Sequence, residues 1–399
     1  MLIAIAAGVM GEWAAVHRQI LKQTRKTGRR PDLLLVPGNS IPARNAGDLA
    51  QTHMCDKFQS RHSFYKYYAR ESTSPCPTIV VGGEHDPSNY LFEMYFGGWL
   101  APRIYYLGAS GCVRFGGLRI AGISGVYDQE RFDTGYHEPF PLRADDLRTF
   151  PFTRQAELFK LRQISGGVDL VLSYDWPTGV TRHLDDDGGS LFERYPHVAG
   201  GNGRAVGNPH LDSVLKHLQP QYWIAGRHYV DFTSRIEHDS EQVLKASMFL
   251  CAERSARKKV SVRYLELPDI EGSDHVLSYD PEWLTIQRLT TPLLSTNILA
   301  PLLTTSDLTP AQFSSERRAV EREFAGDYVI PPNFERTVKP HRFNHDRLCL
   351  HKAKKKRFMP SLSIQKLSLL PFFLIFMFFF VFLFSILHSY VTVILTSTI

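Results

Sequence analysis

The sequence predicts an α/β layered domain on the basis of three observations. Short apolar segments recur along the chain, each ends in a Gly, Asn or Asp turn, and amphipathic helix patterns lie between them. Such strand–turn–helix alternation packs sheets against helices and gathers the loops at the strand ends. With 399 residues, of which 43% are apolar, the chain is long enough to bury a full core.

The first element is the strand pattern MLIAIAAG, which leads into a helix with Trp13, Val16 and Ile20 on one face. The pattern predicts a strand rather than a signal peptide, because it lacks a basic leader and a cleavage-type flank. Further strands of the same kind are predicted at 31–39, 77–83, 103–108, 118–125, 168–175 and 222–226.

Two helix patterns have clear end signals. Asn208 caps a helix with Leu211, Val214, Leu215 and Leu218 on one face, and Pro220 ends it. Thr309 and Gln312 have capping-box spacing at the start of a helix that runs to Gly326. Residues 183–207 between the sixth and seventh strands predict a flexible surface insertion, and its Asp185–Asp187 run is interpreted as a solvated loop.

Composition divides the chain into four segments. Residues 1–239 form the main domain, 240–330 an appended α/β subdomain, 331–366 a basic linker and 367–399 an apolar tail. The tail has no Asp, Glu, Lys or Arg and matches the roughly 20-residue length of a membrane-spanning helix. A translated pyrimidine-rich non-coding stretch would give the same Phe-rich string, so both explanations stay open.

The positive charge is concentrated at the C-terminal end. The sequence has 46 Lys and Arg against 40 Asp and Glu, but seven of the basic residues follow Asp346, which leaves 39 before that point. Net charge therefore gives no support for nucleic-acid binding by the body. The five cysteines are scattered and form no zinc-type pattern, which indicates a reducing compartment.

Five predicted strand-end loops follow one another in the order of the ligand-bearing loops of a two-metal hydrolase. They are AAGVMGE, VPGNS, GGEHD, SYDWP and AGRHY. In such enzymes a bridging carboxylate and several His or Asn ligands hold paired cations that turn a bound water into hydroxide.

Longer segments make the resemblance specific. FGGWLAPRIYYLG at 96–108, LRIAGISGVYD at 118–128 and LSYDPEWLTIQR at 277–288 are similar to segments of RNA lariat debranching enzymes, a family of calcineurin-like metallophosphoesterases. The resemblance implies a four-layer metallophosphoesterase β-sandwich flanked by helices, with an appended C-terminal α/β subdomain. It also implies hydrolysis of the 2′,5′-phosphodiester of excised intron lariats, a Mn, Fe or Zn cofactor and a nuclear location.

The resemblance places the family's metal ligands on seven positions whose residue types have all changed. These positions are Gly8, Met10, Asn39, Glu84, Tyr174, Arg227 and Tyr229. Glycine has no side chain, a thioether is too soft for these metals, and phenols ionise only near pH 10. The permanent charge of Arg227 would repel a cation. We therefore expect no metal cofactor, and only His85 matches a family residue, the catalytic histidine.

Two hypotheses describe Arg227. In the first, Arg227, His85, Tyr174 and Tyr229 bind an RNA phosphate where the metals lie in the family. In the second, Arg227 forms a structural ion pair with Glu84 or Asp175. The segment 127–160 occupies the place of the family's lariat-recognition loop, and its aromatic residues either contact RNA or pack on the body.

Three functional hypotheses follow. The first is a catalytically impaired debranching-family pseudoenzyme that binds branched or single-stranded RNA or splicing-associated proteins. The second is an active debranching phosphodiesterase with remodelled ligands, drawn from Glu84, His85, Asp86, Asp175 and His228. The third is a tail-anchored scaffold whose body faces the cytosol, which requires that 367–399 be translated.

Overall fold

Two β-sheets packed face to face, each covered on its outer side by helices, give the chain four layers. The computed structural model describes residues 1–340 except 55–61, 185, 187, 200–205, 239–244, 254–259, 300–301 and 305–306. The basic linker from 341 onward and the apolar tail therefore lie outside the described residues. Among those described, no helix has the length and apolarity needed to cross a membrane.

The first sheet has six strands in the order β12-β1-β2-β3-β5-β4, with β1, β2, β3 and β5 parallel. Its strands are β1 Leu2–Ile5, β2 Leu33–Pro37, β3 Thr78–Val81, β4 Gly98–Ala101, β5 Ile104–Tyr106 and β12 Arg263–Glu266. Strand β12 runs antiparallel to β1, and β4 runs antiparallel to β5, so the sheet has a parallel centre with antiparallel edges.

The second sheet has seven strands in the order β10-β11-β9-β8-β7-β6-β13, and β7, β8, β9 and β11 are parallel. Its strands are β6 Ser110–Phe115, β7 Leu118–Ile123, β8 Leu170–Ser173, β9 Tyr222–Ala225, β10 Phe232–His238, β11 Lys245–Cys251 and β13 Leu277–Tyr279. The pairs β10–β11, β6–β7 and β6–β13 are antiparallel.

Alternation along the strands separates the two faces of each sheet. Ile3 and Ile5 of β1 point into the core between the sheets, where they meet Leu170 and Leu172 of β8. Ala4 points the other way, into the outer core beneath the first helix. Successive side chains of a strand point to opposite faces, so a strand that is buried on both faces needs apolar residues at every position.

Ten α-helices are assigned in the described residues, and the long ones form the outer layers. They are α1 Trp13–Thr27, α2 Ala46–Ala50, α3 Phe64–Tyr68, α4 Ser88–Glu93, α5 Asp146–Thr149, α6 Gln155–Arg162, α7 Gly189–Arg194, α8 Pro209–Leu218, α9 Pro281–Thr290 and α10 Pro310–Phe324. Trp13, Val16 and Ile20 of α1 are buried against the first sheet. Helices α6, α8 and α9 cover the second sheet.

The predicted starts of α8 and α10 are confirmed. The Asn208 side chain accepts a hydrogen bond from the backbone N–H of His210, and Pro209 begins the helix. The Thr309 side chain and Gln312 form the reciprocal capping box that the spacing predicts. Helix α10 ends at Phe324, two residues before Gly326, because Ala325 takes the left-handed C-cap conformation.

The described part of 183–207 differs from the predicted flexible insertion. It contains α7 and a 3₁₀ turn at Pro196–Val198, and Leu191 and Val198 are buried against the second sheet. Burial of these side chains is the physical reason that this segment has regular structure. Asp185 and Asp187 lie outside the described residues, and the Asp186 carboxylate accepts from the backbone N–H groups of Gly188 and Ser190 at the start of α7.

The segment 240–330 is linked to both sheets. Strand β12 pairs with β1 in the first sheet, whereas β11 and β13 belong to the second. Residues Met1–His345 form one compact unit. The boundary at residue 240 stays a prediction, and strands on its C-terminal side contribute to the same two sheets as the main domain.

Candidate phosphoesterase-type site

The candidate site lies where the carboxyl ends of five parallel strands meet. Strands β1, β2 and β3 of the first sheet lead into Met10, Asn39 and Glu84, and strands β8 and β9 of the second sheet lead into Tyr174 and Arg227. The two sheets approach each other closely here. A Cβ on Gly226 would lie only 1.9 Å from the carbonyl oxygen of Pro37, so this position has no room for a side chain. Side chains from both sheets can therefore contact one another.

Asn39 is the centre of the site. Its side chain is fully buried, and its Nδ2 donates to the hydroxyls of Tyr174 and Tyr229, both at 2.7 Å. Its Oδ1 accepts from the backbone N–H of His85 at 2.9 Å. The Asn39 amide therefore has both its donor and its acceptor atoms engaged by protein groups.

Tyr174 connects this centre to the third loop. Its hydroxyl donates to Glu84 Oε1 at 2.9 Å. Burial, followed by the proximity of Tyr229 and Glu84, raises the pKa of Tyr174 well above its ordinary value, so the phenol is neutral at physiological pH. Gly38 makes room for the ring, since a Cβ there would come within 2.4 Å of Tyr174 Cδ2.

Arg227 forms an ion pair with Asp175. The distance from Arg227 Nη1 to Asp175 Oδ1 is 2.9 Å, and the carboxylate is 1% exposed. Burial disfavours the guanidinium charge, but the groups around it, first Asp175 and then Glu84 and Tyr174, together offset this effect and raise the pKa of Arg227. Of the two predicted ion-pair partners, Glu84 and Asp175, the structure shows the bond to Asp175. The bond uses one guanidinium nitrogen, and the Arg227 side chain is 29% exposed.

His85 lies at the surface edge of the site. Its Nδ1 donates to the carbonyl oxygen of His53 at 2.8 Å, and its Nε2 lies 3.6 Å from Glu84 Oε1. The imidazole is 28% exposed and can reach a bound molecule. The sequence pattern did not reveal the contribution of His53, because it lies in a loop without a family motif.

The backbone at the site is strained. Met10, Asn39, His228 and Tyr229 all have positive φ, between 48° and 69°. Asparagine tolerates this left-handed region, whereas methionine and tyrosine do so at a cost of about 1–3 kcal/mol each. The loops that carry these residues therefore keep special backbone conformations.

The donor set does not fit the binuclear cofactor that the resemblance implies. Gly8 offers no donor atom, the Asn39 amide is engaged by two phenols and a backbone N–H, and Arg227 places a cation in the site. No group of three or more His, Cys, Asp or Glu side chains in the described part of the chain is arranged to hold a metal ion.

The alternative ligands are engaged elsewhere. Asp86 accepts from the backbone N–H groups of Ile41 and Gly83 at 2.6 and 2.7 Å, and burial raises its pKa to about 6. Asp175 binds Arg227 and also accepts from the backbone N–H of Tyr127. The His228 ring packs edge-on against Trp176, with centroids 4.8 Å apart. These groups support the loops rather than converge on one point.

His228 makes the site sensitive to acid. Burial, and then the charge of Arg227, lowers its pKa from 6.5 to about 3. Between these values the unfolded chain binds a proton that the folded chain does not, so stability falls as pH decreases below about 6.5. We expect His228→Asn, which tolerates the positive φ, to remove about 2 kcal/mol of the stability difference between pH 7 and pH 5.

Urea unfolding of the wild type and of His228→Asn at pH 7 and pH 5 measures this effect. The contribution of His228 is the difference between the two proteins in the stability change from pH 7 to pH 5. His183→Asn, which replaces an exposed histidine by the same residue type, is the matched control for the substitution itself. Equal pH dependence of wild type and His228→Asn would contradict the assignment.

The predicted recognition segment packs partly on itself. Tyr136, Phe140 and Phe150 form an aromatic cluster with Phe92 of α4, and Phe92 and Phe140 stack with centroids 5.0 Å apart. The cluster borders a cavity of about 60 Å³ that reaches Gly83 and Asp86. The segment is thus adjacent to the candidate site, and Phe92 and Phe140 stay 36% and 45% exposed.

Comparison with known proteins identifies the family of this chain. A family model described as the lariat debranching enzyme C-terminal domain matches residues 246–366. The chain is 33% identical over 348 residues to the lariat debranching enzyme of Danio rerio, a match that covers 86% of the chain and 61% of that protein.

Two further relatives are matched over more of their length. The lariat debranching enzyme of Drosophila melanogaster is 33% identical over 385 residues, which covers 85% of the chain and 71% of that protein. The enzyme of Arabidopsis thaliana is 31% identical over 341 residues, which covers 85% of the chain and 79% of that protein. The chain belongs to the lariat debranching enzyme family.

Proposed function

We propose that this protein is a debranching-family member without a working binuclear metal centre, which binds branched or single-stranded RNA instead of hydrolysing it. The observation that carries the proposal is the network of Asn39, Tyr174, Tyr229 and Glu84. These side chains bond to one another across the space between the sheets, where the family's cations would lie. Glu84 is the one carboxylate of this network, and the Asn39 amide already bonds to both phenols, so the network supplies less charge and fewer free lone pairs than two divalent cations require.

Phosphate binding by Arg227 is the second part of the proposal. Asp175 uses one nitrogen of the guanidinium, which has five N–H donors in a planar fork suited to phosphate. Partial exposure of Arg227 and His85 leaves both within reach of a molecule at the surface. The ion pair and the phosphate contact are compatible, because they use different edges of the guanidinium.

The recognition segment supplies the third part. Phe140 of this segment and Phe92 of α4 stay partly exposed beside the site, and exposed aromatic rings stack on unpaired bases without regard to sequence. RNA contact by 127–160 therefore accompanies phosphate binding in the proposal. With the family, we assign the protein to the nucleus and to splicing-associated partners.

The test uses a synthetic RNA with a 2′,5′ branch and the full chain. We expect binding without cleavage when Mn²⁺ is added. The variant Arg227→Met/Asp175→Asn removes the guanidinium without leaving a buried unpaired charge, and it should weaken branched-RNA affinity at least about tenfold. Arg227→Lys keeps the charge but loses the planar fork of the guanidinium. Its RNA affinity should therefore lie between that of the wild type and that of the double variant.

The two outcomes that would overturn the proposal are distinct. Cleavage of the 2′,5′ bond in the presence of Mn²⁺ would favour the active enzyme with remodelled ligands. Unchanged affinity in a double variant that unfolds in urea like the wild type would remove Arg227 from RNA binding and leave it a structural ion-pair partner. The scaffold hypothesis depends on 367–399, which lies outside the described residues.

A further inference from the structure

Helix α1 has a strongly basic outer face. Arg18, Lys22, Arg25 and Lys26 are all exposed on this 15-residue helix, and the helix contains no Asp or Glu. Arg18, Lys22 and Lys26 are spaced by four residues and therefore lie on one side of the helix, with Arg25 beside them. We call these four residues the α1 stripe.

The charges of the α1 stripe are not neutralised locally. Within the described part of the chain, none of the four has an acidic group within ion-pair distance, whereas Arg29, just beyond the helix, pairs with Glu266. Helix α10 has the same length and three exposed arginines, but it also carries three glutamates, so its net charge is zero. Arg317 pairs with Glu321 at 3.0 Å, and the other two glutamates bind Arg288 of α9. Because the body as a whole is nearly neutral, the α1 stripe is a local excess of positive charge.

The spacing of the α1 stripe fits a phosphate backbone. Four residues of α-helix span about 6 Å. The row from Arg18 to Lys26 is thus about 12 Å long, and a line of positive charges of this kind can follow a phosphate backbone. A membrane surface fits less well, because interfacial helices need an apolar face, and Trp13, Val16 and Ile20 are buried in the core. Leu21 is the one large apolar side chain that is exposed on helix α1.

We propose that the α1 stripe binds the phosphate backbone of a single-stranded RNA segment next to the candidate site. Helix α1 begins at Trp13, three residues after Met10, so the α1 stripe runs outward from the strand-end loops. A strand that leaves the site passes along Arg18, then Lys22, then Lys26. The choice of RNA as the occupant rests on the proposed function, but the contacts do not depend on Arg227.

The test compares two triple variants of the full chain. Arg18→Gln/Lys22→Gln/Lys26→Gln removes three charges from α1, and Arg317→Gln/Arg318→Gln/Arg322→Gln removes three from the balanced helix α10. Each is titrated with a linear single-stranded RNA between about 50 and 200 mM salt. We expect the α1 variant to lose about two from the slope of log affinity against log salt, at about 0.7 for each phosphate contact, and the α10 variant to keep the wild-type slope.

Equal slopes for the α1 variant and the wild type would overturn the inference, provided that both bind RNA. Polyglutamate can be tested as a competitor for the bound RNA. If it competes as strongly as unlabelled RNA, the α1 stripe would be assigned to an acidic protein instead. Anionic vesicles that bind the wild type but not the α1 variant would assign it to a membrane. A wild-type chain that binds no RNA at all would contradict the proposed function as well, which separates the two failures.

Discussion

Replacing Asp175 with alanine is expected to lower the free energy of unfolding by about 3 kcal/mol. The substitution leaves the largely buried Arg227 guanidinium without its partner, and removing one member of a buried ion pair costs about 3–5 kcal/mol. It also leaves the backbone N–H groups of Tyr127 and Trp176 without their acceptor. We take the lower end because Arg227 is 29% exposed. Urea unfolding at neutral pH measures the loss.

Two controls determine whether the effect comes from the buried ion pair. Arg227→Met/Asp175→Asn removes both charges and should recover most of the lost stability, because no unpaired charge is left inside. Asp231→Ala breaks an exposed pair with Arg263, in which the carboxylate is 61% exposed, and should cost less than about 1 kcal/mol. If Asp175→Ala lowers the free energy of unfolding no more than Asp231→Ala does, the ion pair does not stabilise the site.

Glu138→Ala is expected to have the second large effect, a loss of about 3 kcal/mol that is concentrated in the segment 127–160. Glu138 Oε1 accepts from Arg154 Nη2 at 2.6 Å, and both side chains are 1% exposed. Arg154 also donates to the carbonyl of Arg131, so it holds the segment at two points. Without the carboxylate, Arg154 is a buried unpaired cation, and the segment loses its tie to α6.

Two measurements separate the local effect from the global one. Urea unfolding reports the stability of the whole domain, and limited proteolysis reports cleavage within 127–150. Arg143→Ala is a matched control, since it removes an exposed pair with Asp146 in the same segment. If residues 127–150 of the Glu138→Ala variant resist proteolysis as well as those of the wild type, the buried pair does not anchor the segment.

The positions of the site loops could be predicted from the sequence, because they depend on local patterns. Short apolar strands that end in glycine or polar turns place Asn39, Glu84, Tyr174 and Arg227 at one edge of a parallel sheet region. The structure shows these side chains at adjacent strand ends. Asn208 and Thr309 were equally accessible to prediction, since a cap depends on residues only two or three positions away.

The strands at or near the sheet edges were harder to find. Strands β4, β6 and β10 were not predicted, although β10 alternates buried Phe232, Ser234, Ile236 and His238 with less buried residues. Such a strand has one polar face, and its Ser, Arg and Glu content hides it among loops. Its position is determined by pairing with β11, which no local pattern encodes.

The side-chain partners inside the site were also beyond local prediction. Whether Arg227 pairs with Glu84 or with Asp175 depends on how two sheets face each other over the loops, and the sequence left both alternatives open. The bonds from Asn39 to both Tyr174 and Tyr229 join residues 135 and 190 positions apart. The role of the His53 carbonyl likewise depends on loop packing alone.

The metal content of the purified full chain tests the central claim most directly. Elemental analysis for Mn, Fe and Zn, repeated after incubation with Mn²⁺ and removal of the free ion, measures how many ions each chain holds. Because the network of Asn39, Tyr174, Tyr229 and Glu84 and the Arg227 cation leave no ligand set, we expect far less than one ion per chain. Two tightly held ions per chain, the content of a binuclear hydrolase, would contradict the account.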